Sequence, residues 1–117
     1  MKYAIQVNAG PFSAQAAHTA YQFIKAALGK GHEIVSVFFY HDGVYNALRS
    51  GSSAEVHDSA PRWSDLADQY RIDLVLCVSA AERRGLATFG TDGFRVGGLG
   101  QWIDACLKAD RVLVFGP

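Results

Sequence analysis

The chain has 117 residues, half of them apolar and about a fifth charged, with eleven Lys and Arg balanced by eleven Asp and Glu. That length suits one domain with one core over residues 1–117, and the apolar content argues against disorder. The zero net charge lacks the basic excess that a nucleic-acid surface needs, so direct polynucleotide binding is not expected.

The amino-terminal "MKYAIQVNAG" has one lysine and a short apolar run, too short for a signal peptide or a membrane span. A cytoplasmic protein without a membrane anchor is the expectation. "KYAIQV", residues 2–7, reads as a first strand, and "NAGPFS" as the turn that follows it. After Ser13, a candidate N-cap, Ala17, Ala20, Ile24, Ala27 and Leu28 fall at helical spacing until Gly29 or Gly31 stops the run. The turn and helix start lack the GxGxxG and P-loop patterns, so no nucleotide site is read there.

"EIVSVFFY", residues 33–40, is apolar almost throughout, as a strand buried on both faces of a parallel sheet would be. "HDGVYNA" breaks it with a turn, and residues 50–61 form a polar surface loop. Pro61 opens a helix in which Trp63, Leu66 and Tyr70 share a face. "IDLVLCV" is a third strand and "AAERRG" begins a short helix. Residues 86–98 are glycine-rich, with a short strand at Phe94 to Val96. Leu99, Trp102, Ile103, Cys106 and Leu107 recur at three and four, the pattern of an amphipathic helix to Lys108, and "RVLVF" is a last strand. Alternating strands and helices predict a three-layer α/β/α fold with a central, mostly parallel sheet.

The two cysteines, Cys77 and Cys106, lie 29 residues apart, outside any CxxC or zinc-ligand spacing, so no metal and no cofactor is expected. Cys106 falls on the apolar stripe of the last helix, where a thiol usually acts as a small hydrophobe. Cys77 ends a strand and faces a helix start, surroundings that favour a thiolate, and Arg83 and Arg84 follow at six and seven residues. A buried cysteine is also common at strand ends, so spacing leaves both readings of Cys77 open. His41 and Asp42 end the second strand on the same edge. Adjacent residues of an extended chain point to opposite sides, which disfavours a Cys-His-Asp triad and leaves His41 a neighbour of the thiol. His18, His32 and His57 read as surface residues.

Three stretches, "YQFIKAALGKGHEIVSVFFYHDGVYNA", "CVSAAERRG" and "GGLGQWIDACLKADRVLVFG", together resemble the DsrE/TusD branch of the DsrE-like sulfurtransferases, nearly end to end. The resemblance implies a cytoplasmic heterohexamer with DsrF/TusC-like and DsrH/TusB-like subunits, in which this chain carries the active cysteine. On that footing Cys77 takes a sulfane sulfur as a persulfide and passes it to a DsrC/TusE-like acceptor, in dissimilatory sulfur oxidation or tRNA wobble-uridine 2-thiolation. His41, Arg83 and Arg84 support it, and "GKGHEI", "FFYHDGV" and "KADRVLVFG" lean toward DsrE. The alternative is a non-catalytic assembly subunit. Between Gly85 and Phe94 the chain is shorter than the family's usual stretch, and Gly97 or Gly98 replaces the usual serine before "GLG".

Overall fold

A computed structural model describes residues 1–11, 15–48, 59–86 and 93–117. In chain order they form β1 (Lys2–Val7), α1 (Ala16–Gly29), β2 (Glu33–Phe39), a 3-10 corner segment (His41–Ala47), α2 (Ser59–Tyr70), β3 (Leu74–Cys77), α3 (Val78–Arg83), β4 (Phe94–Gly97), α4 (Leu99–Lys108) and β5 (Arg111–Phe115). The five strands make one sheet in the order β4-β3-β2-β1-β5, and every pair is parallel. The expected α/β/α architecture is therefore present, with a sheet that is parallel throughout. The expected cap Ser13, the polar loop of residues 50–61 up to residue 58, and most of the glycine-rich stretch, at residues 87–92, lie outside the described residues.

Side-chain alternation on the strands divides the core in two. Ile5, Val7, Val37, Phe39, Leu74 and Leu76 face α1 and α2, while Ala4, Phe38, Val75 and Cys77 face α3 and α4. The connections explain the layering. β1→α1→β2 and β2→α2→β3 both step toward β4, so right-handed crossovers put α1 and α2 on one face. The step from β4 to β5 runs back across the sheet, and the same handedness puts α4 on the other face, over β2 and β1.

Trp63 is the largest fully buried side chain, set edge-on between Tyr21 (5.3 Å between ring centres) and Phe39 (5.1 Å). Leu66 is buried beside it, but Tyr70, expected on the same face, is 39% exposed because it closes the last turn of α2. Removing the indole in Trp63→Ala is expected to cost about 3–5 kcal/mol, a large share of a small domain's stability, read as a lower urea midpoint.

Two positions in the corner segment are specially constrained. His41 has φ of 50°, in the left-handed region that His tolerates better than most residues. Gly43 lies so close to β1 that an added Cβ would run into the Val7 carbonyl oxygen. "HDGVYNA" is thus more than a turn. It is a 3-10 helix seated on the end of β1, held by the Tyr40 N–H donating to Val7 O (3.0 Å) and by buried Asn46 Nδ2 donating to Ala9 O (3.0 Å) and Gly43 O (2.9 Å).

Candidate functional site

In an open parallel sheet, functional groups gather outside the carboxyl ends of the strands. Cys77 occupies that edge. It is the last residue of β3, paired with Gly97 of β4, and it is also the residue that caps α3, with extended φ and ψ of −66° and 118°. Four consecutive apolar residues, "LVLC", make the strand, and the alanines of "SAA" then allow the chain to turn directly into a helix.

The thiol is 2% exposed. It packs with Val44 of the corner segment, Val75, Ala80 and Ala81, and Trp102 of α4, with Tyr40 and Leu86 at the margin of the cluster. Among the described residues no side chain is hydrogen-bonded to Cys77. This edge of the sheet is therefore covered at Cys77, and among the described residues the cover includes the corner segment, α3 and Trp102 of α4.

The residues expected around the thiol separate. Arg84 folds back on α3 and donates to Ala80 O (3.0 Å), and its guanidinium pairs with Asp42 at 2.9 and 3.0 Å. This bridge ties the corner segment to α3 across the cysteine's cover. Arg83 is exposed in the last turn of α3, and a six-residue helix rises roughly 9 Å, so it sits at the end remote from Cys77. His41 is exposed and its ring stacks on Tyr40, 4.0 Å between centres. Asp42 is thus a functional candidate that sequence reasoning considered only beside His41. Its partner is 42 residues away, and no local pattern signals a contact of that separation.

Asp42 is 58% exposed in its side chain and Arg84 22%, so the pair contributes no more than about 1 kcal/mol. Asp42→Asn is expected to leave the urea midpoint nearly unchanged while raising the alkylation rate of Cys77 by up to about fivefold, the factor that such an energy permits. An unchanged alkylation rate would show that the bridge does not hold the cover.

Cys106 contrasts with Cys77. It is half-buried on α4, and burial pushes its thiol above the ordinary range, against a smaller opposing effect of a backbone hydrogen bond. Among the described residues no group of three or more His, Cys, Asp or Glu side chains is placed to hold a metal ion, and no helix is long and apolar enough to cross a membrane.

Comparison with known proteins gives a consistent result. The DsrE/DsrF-like family matches over residues 1–115. A DsrE protein of Allochromatium vinosum, a candidate sulfurtransferase by name, is 47% identical over 99% of each chain. The sulfurtransferase TusD of Salmonella arizonae is 39% identical over 98% of this chain and all of its own, and a TusD homologue of Vibrio vulnificus is 40% identical over 98% of each. The crystal structure of the ychN protein from E. coli superposes with a TM-score of 0.84 over 98% of this chain and 99% of its own, at 22% identity, a likeness of fold.

Proposed function

The chain belongs to the DsrE/DsrF-like family, and from that premise we propose that it is a sulfurtransferase subunit that carries sulfane sulfur as a persulfide on Cys77. The observation that supports this reading best is the position of Cys77, at the carboxyl end of a central strand and directly before a helix. The step needs little else. The Cys77 thiolate attacks the outer sulfur of a donor persulfide. A new S–S bond forms on Cys77, the donor's S–S bond breaks, and the donor leaves as a thiolate. An acceptor thiolate then takes the outer sulfur and returns Cys77 to the thiolate, with no net oxidation.

The acceptor on this reading is a DsrC/TusE-like protein, and the chain works in the cytoplasm beside DsrF/TusC-like and DsrH/TusB-like subunits. The higher identity to the DsrE relative than to the TusD relatives favours sulfur oxidation over tRNA thiolation. The alignment with the DsrE relative runs over 129 positions against this chain's 117 residues, in keeping with a shortened stretch after Gly85. With Cys77 covered, exchange requires part of that cover, the corner segment foremost among the described elements, to move aside.

That same burial favours a second reading, in which Cys77 only packs and the chain is a non-catalytic assembly subunit. Incubation with a sulfane-sulfur donor followed by intact mass measurement separates the two. One added sulfur, mapped to the peptide that contains Cys77, is the expected result. An unchanged mass, under conditions that load a control thiol, would leave the assembly reading.

A further inference from the structure

Cys77 has a glycine for its neighbour across the sheet. In the ladder between β3 and β4 it stands in register with Gly97. Phe94 packs on the α1 and α2 face, so alternation along β4 turns position 97 to the same face as the thiol. Neighbouring strands lie about 4.8 Å apart, and a side chain at 97 would therefore stand directly beside Cys77. The Gln101 carboxamide takes that place instead. A Cβ added at Gly97 would run into Gln101 Oε1, and would lie 2.8 Å from Val75 Cγ1 and 3.0 Å from Gln101 Cδ.

A brace across three elements holds the amide there. Arg95 of β4 donates through Nη1 to Gln101 Oε1 at 2.6 Å, while its Nε and Nη2 donate to the Asp73 carboxylate, just before β3, at 2.6 and 2.8 Å. Two bonds to one carboxylate and a third to the amide leave the planar guanidinium a single orientation. The backbone needs this hold, because Gly97, Gly98 and Gly100 surround the start of α4 and no side chain caps it. Gln101 is tied at its backbone too, its N–H donating to Gly98 O at 3.1 Å. The next residue is Trp102, which stacks on Phe38 and belongs to the cluster around Cys77.

We propose that Gln101 is a positioning residue for Cys77: braced by Arg95 and Asp73, its amide fills the slot that Gly97 leaves beside the thiol and seats Trp102 against it. The proposal rests on the reading of Cys77 as the sulfur carrier and gives that site a fixed wall. The start of α4 stays fastened to β3 and β4, which leaves the corner segment as the part of the cover that yields to donor and acceptor.

The test is alkylation of both cysteines in the folded full chain by iodoacetamide, mapped by mass, in wild type, Gln101→Ala, Arg95→Met and the double variant. Gln101 and Arg95 are exposed, so each variant should stay folded, which the urea midpoint checks. The Cys77 rate is expected to rise roughly fivefold in each single variant, the scale of one lost hydrogen bond, and no further in the double variant. Cys106, in the last turn of the same helix, should keep its wild-type rate. Gln101→Glu retains an acceptor oxygen for Arg95 and should show no rise at Cys77. An unmoved Cys77 rate in Gln101→Ala would overturn the proposal, as would a Gln101→Glu variant that alkylates as fast as Gln101→Ala. So would additive rises in the double variant, or a joint rise of both cysteines, the mark of a helix that has merely loosened. Alkylation needs no sulfur donor, which keeps the two readings apart. A chain that shows this pattern but loads no sulfur ends the persulfide reading alone, and one that loads sulfur with an unmoved Cys77 rate in the variants ends the positioning role alone.

Discussion

Cys77→Ser is expected to abolish both sulfur loading and onward transfer, while Cys106→Ser keeps both. Serine has nearly the shape of cysteine but an oxygen that forms no persulfide, so the variant removes the nucleophile rather than slowing it. Cys106 cannot take over. Its thiol is pushed up by burial, which lowers the thiolate fraction at neutral pH, and it lies on α4 rather than at the covered strand end. The measurement is transfer of labelled sulfane sulfur to a small thiol acceptor, with intact mass after loading. Because the serine hydroxyl enters an apolar cluster with Val75, Ala80 and Trp102, a stability loss of about 1–2 kcal/mol accompanies it, and a urea melt must show that the variant is folded. Undiminished transfer by folded Cys77→Ser would end the persulfide reading. Loss of transfer in Cys106→Ser alone would move the chemistry to the other cysteine.

The architecture was legible because strands buried on both faces write themselves as unbroken apolar runs. "EIVSVFF" and "LVLC" became β2 and β3 with few residues' error at either end. The place of Cys77 at a strand end followed from the same signal. Periodicity, however, reports which residues are apolar and not which of them something covers. The stripe read on α4 holds Leu99, Trp102, Ile103, Cys106 and Leu107, yet only Trp102 and the unremarked Ala105 are buried. The helix crosses back over β1 and β2, and one helix is too narrow to shield β5 as well. "RVLVF" shows the same limit, since it reads as a core strand but is covered on one face.

The neighbours of the thiol were harder to see. Arg84 belonged to a motif next to Cys77, but its ion-pair partner Asp42 lies on another element, and two residues that share an edge of a sheet share nothing in the sequence. The corner segment was hidden for a different reason. His, Asp, Gly and Asn are turn-forming residues, so "HDGVYNA" reads as a break. What makes it a structured cover is the burial of Gly43, Val44 and Asn46 against the end of β1, a long-range contact.

That seat gives the second large expectation. Gly43→Ala should detach the corner segment from the sheet. The new methyl group meets the Val7 carbonyl oxygen, a backbone atom that already accepts the Tyr40 N–H and has no free direction in which to yield. Overpacking against backbone costs about 1–3 kcal/mol or more, which for a domain of this size lowers the melting temperature by roughly 10 °C. The greater consequence is local. The corner segment brings Val44 to the cysteine cluster and Asp42 to Arg84, so its displacement should raise Cys77 alkylation more than Asp42→Asn does, by over about tenfold, an amount that 1.4 kcal/mol of lost cover supplies. Gly98→Ala is the control, because an added Cβ there meets nothing within 4 Å and its backbone is extended. If Gly43→Ala melts early but alkylates at the wild-type rate, the corner segment is not what shields Cys77. If the melting temperature falls and alkylation rises together, the 3-10 corner is the element that sulfur donors and acceptors must displace.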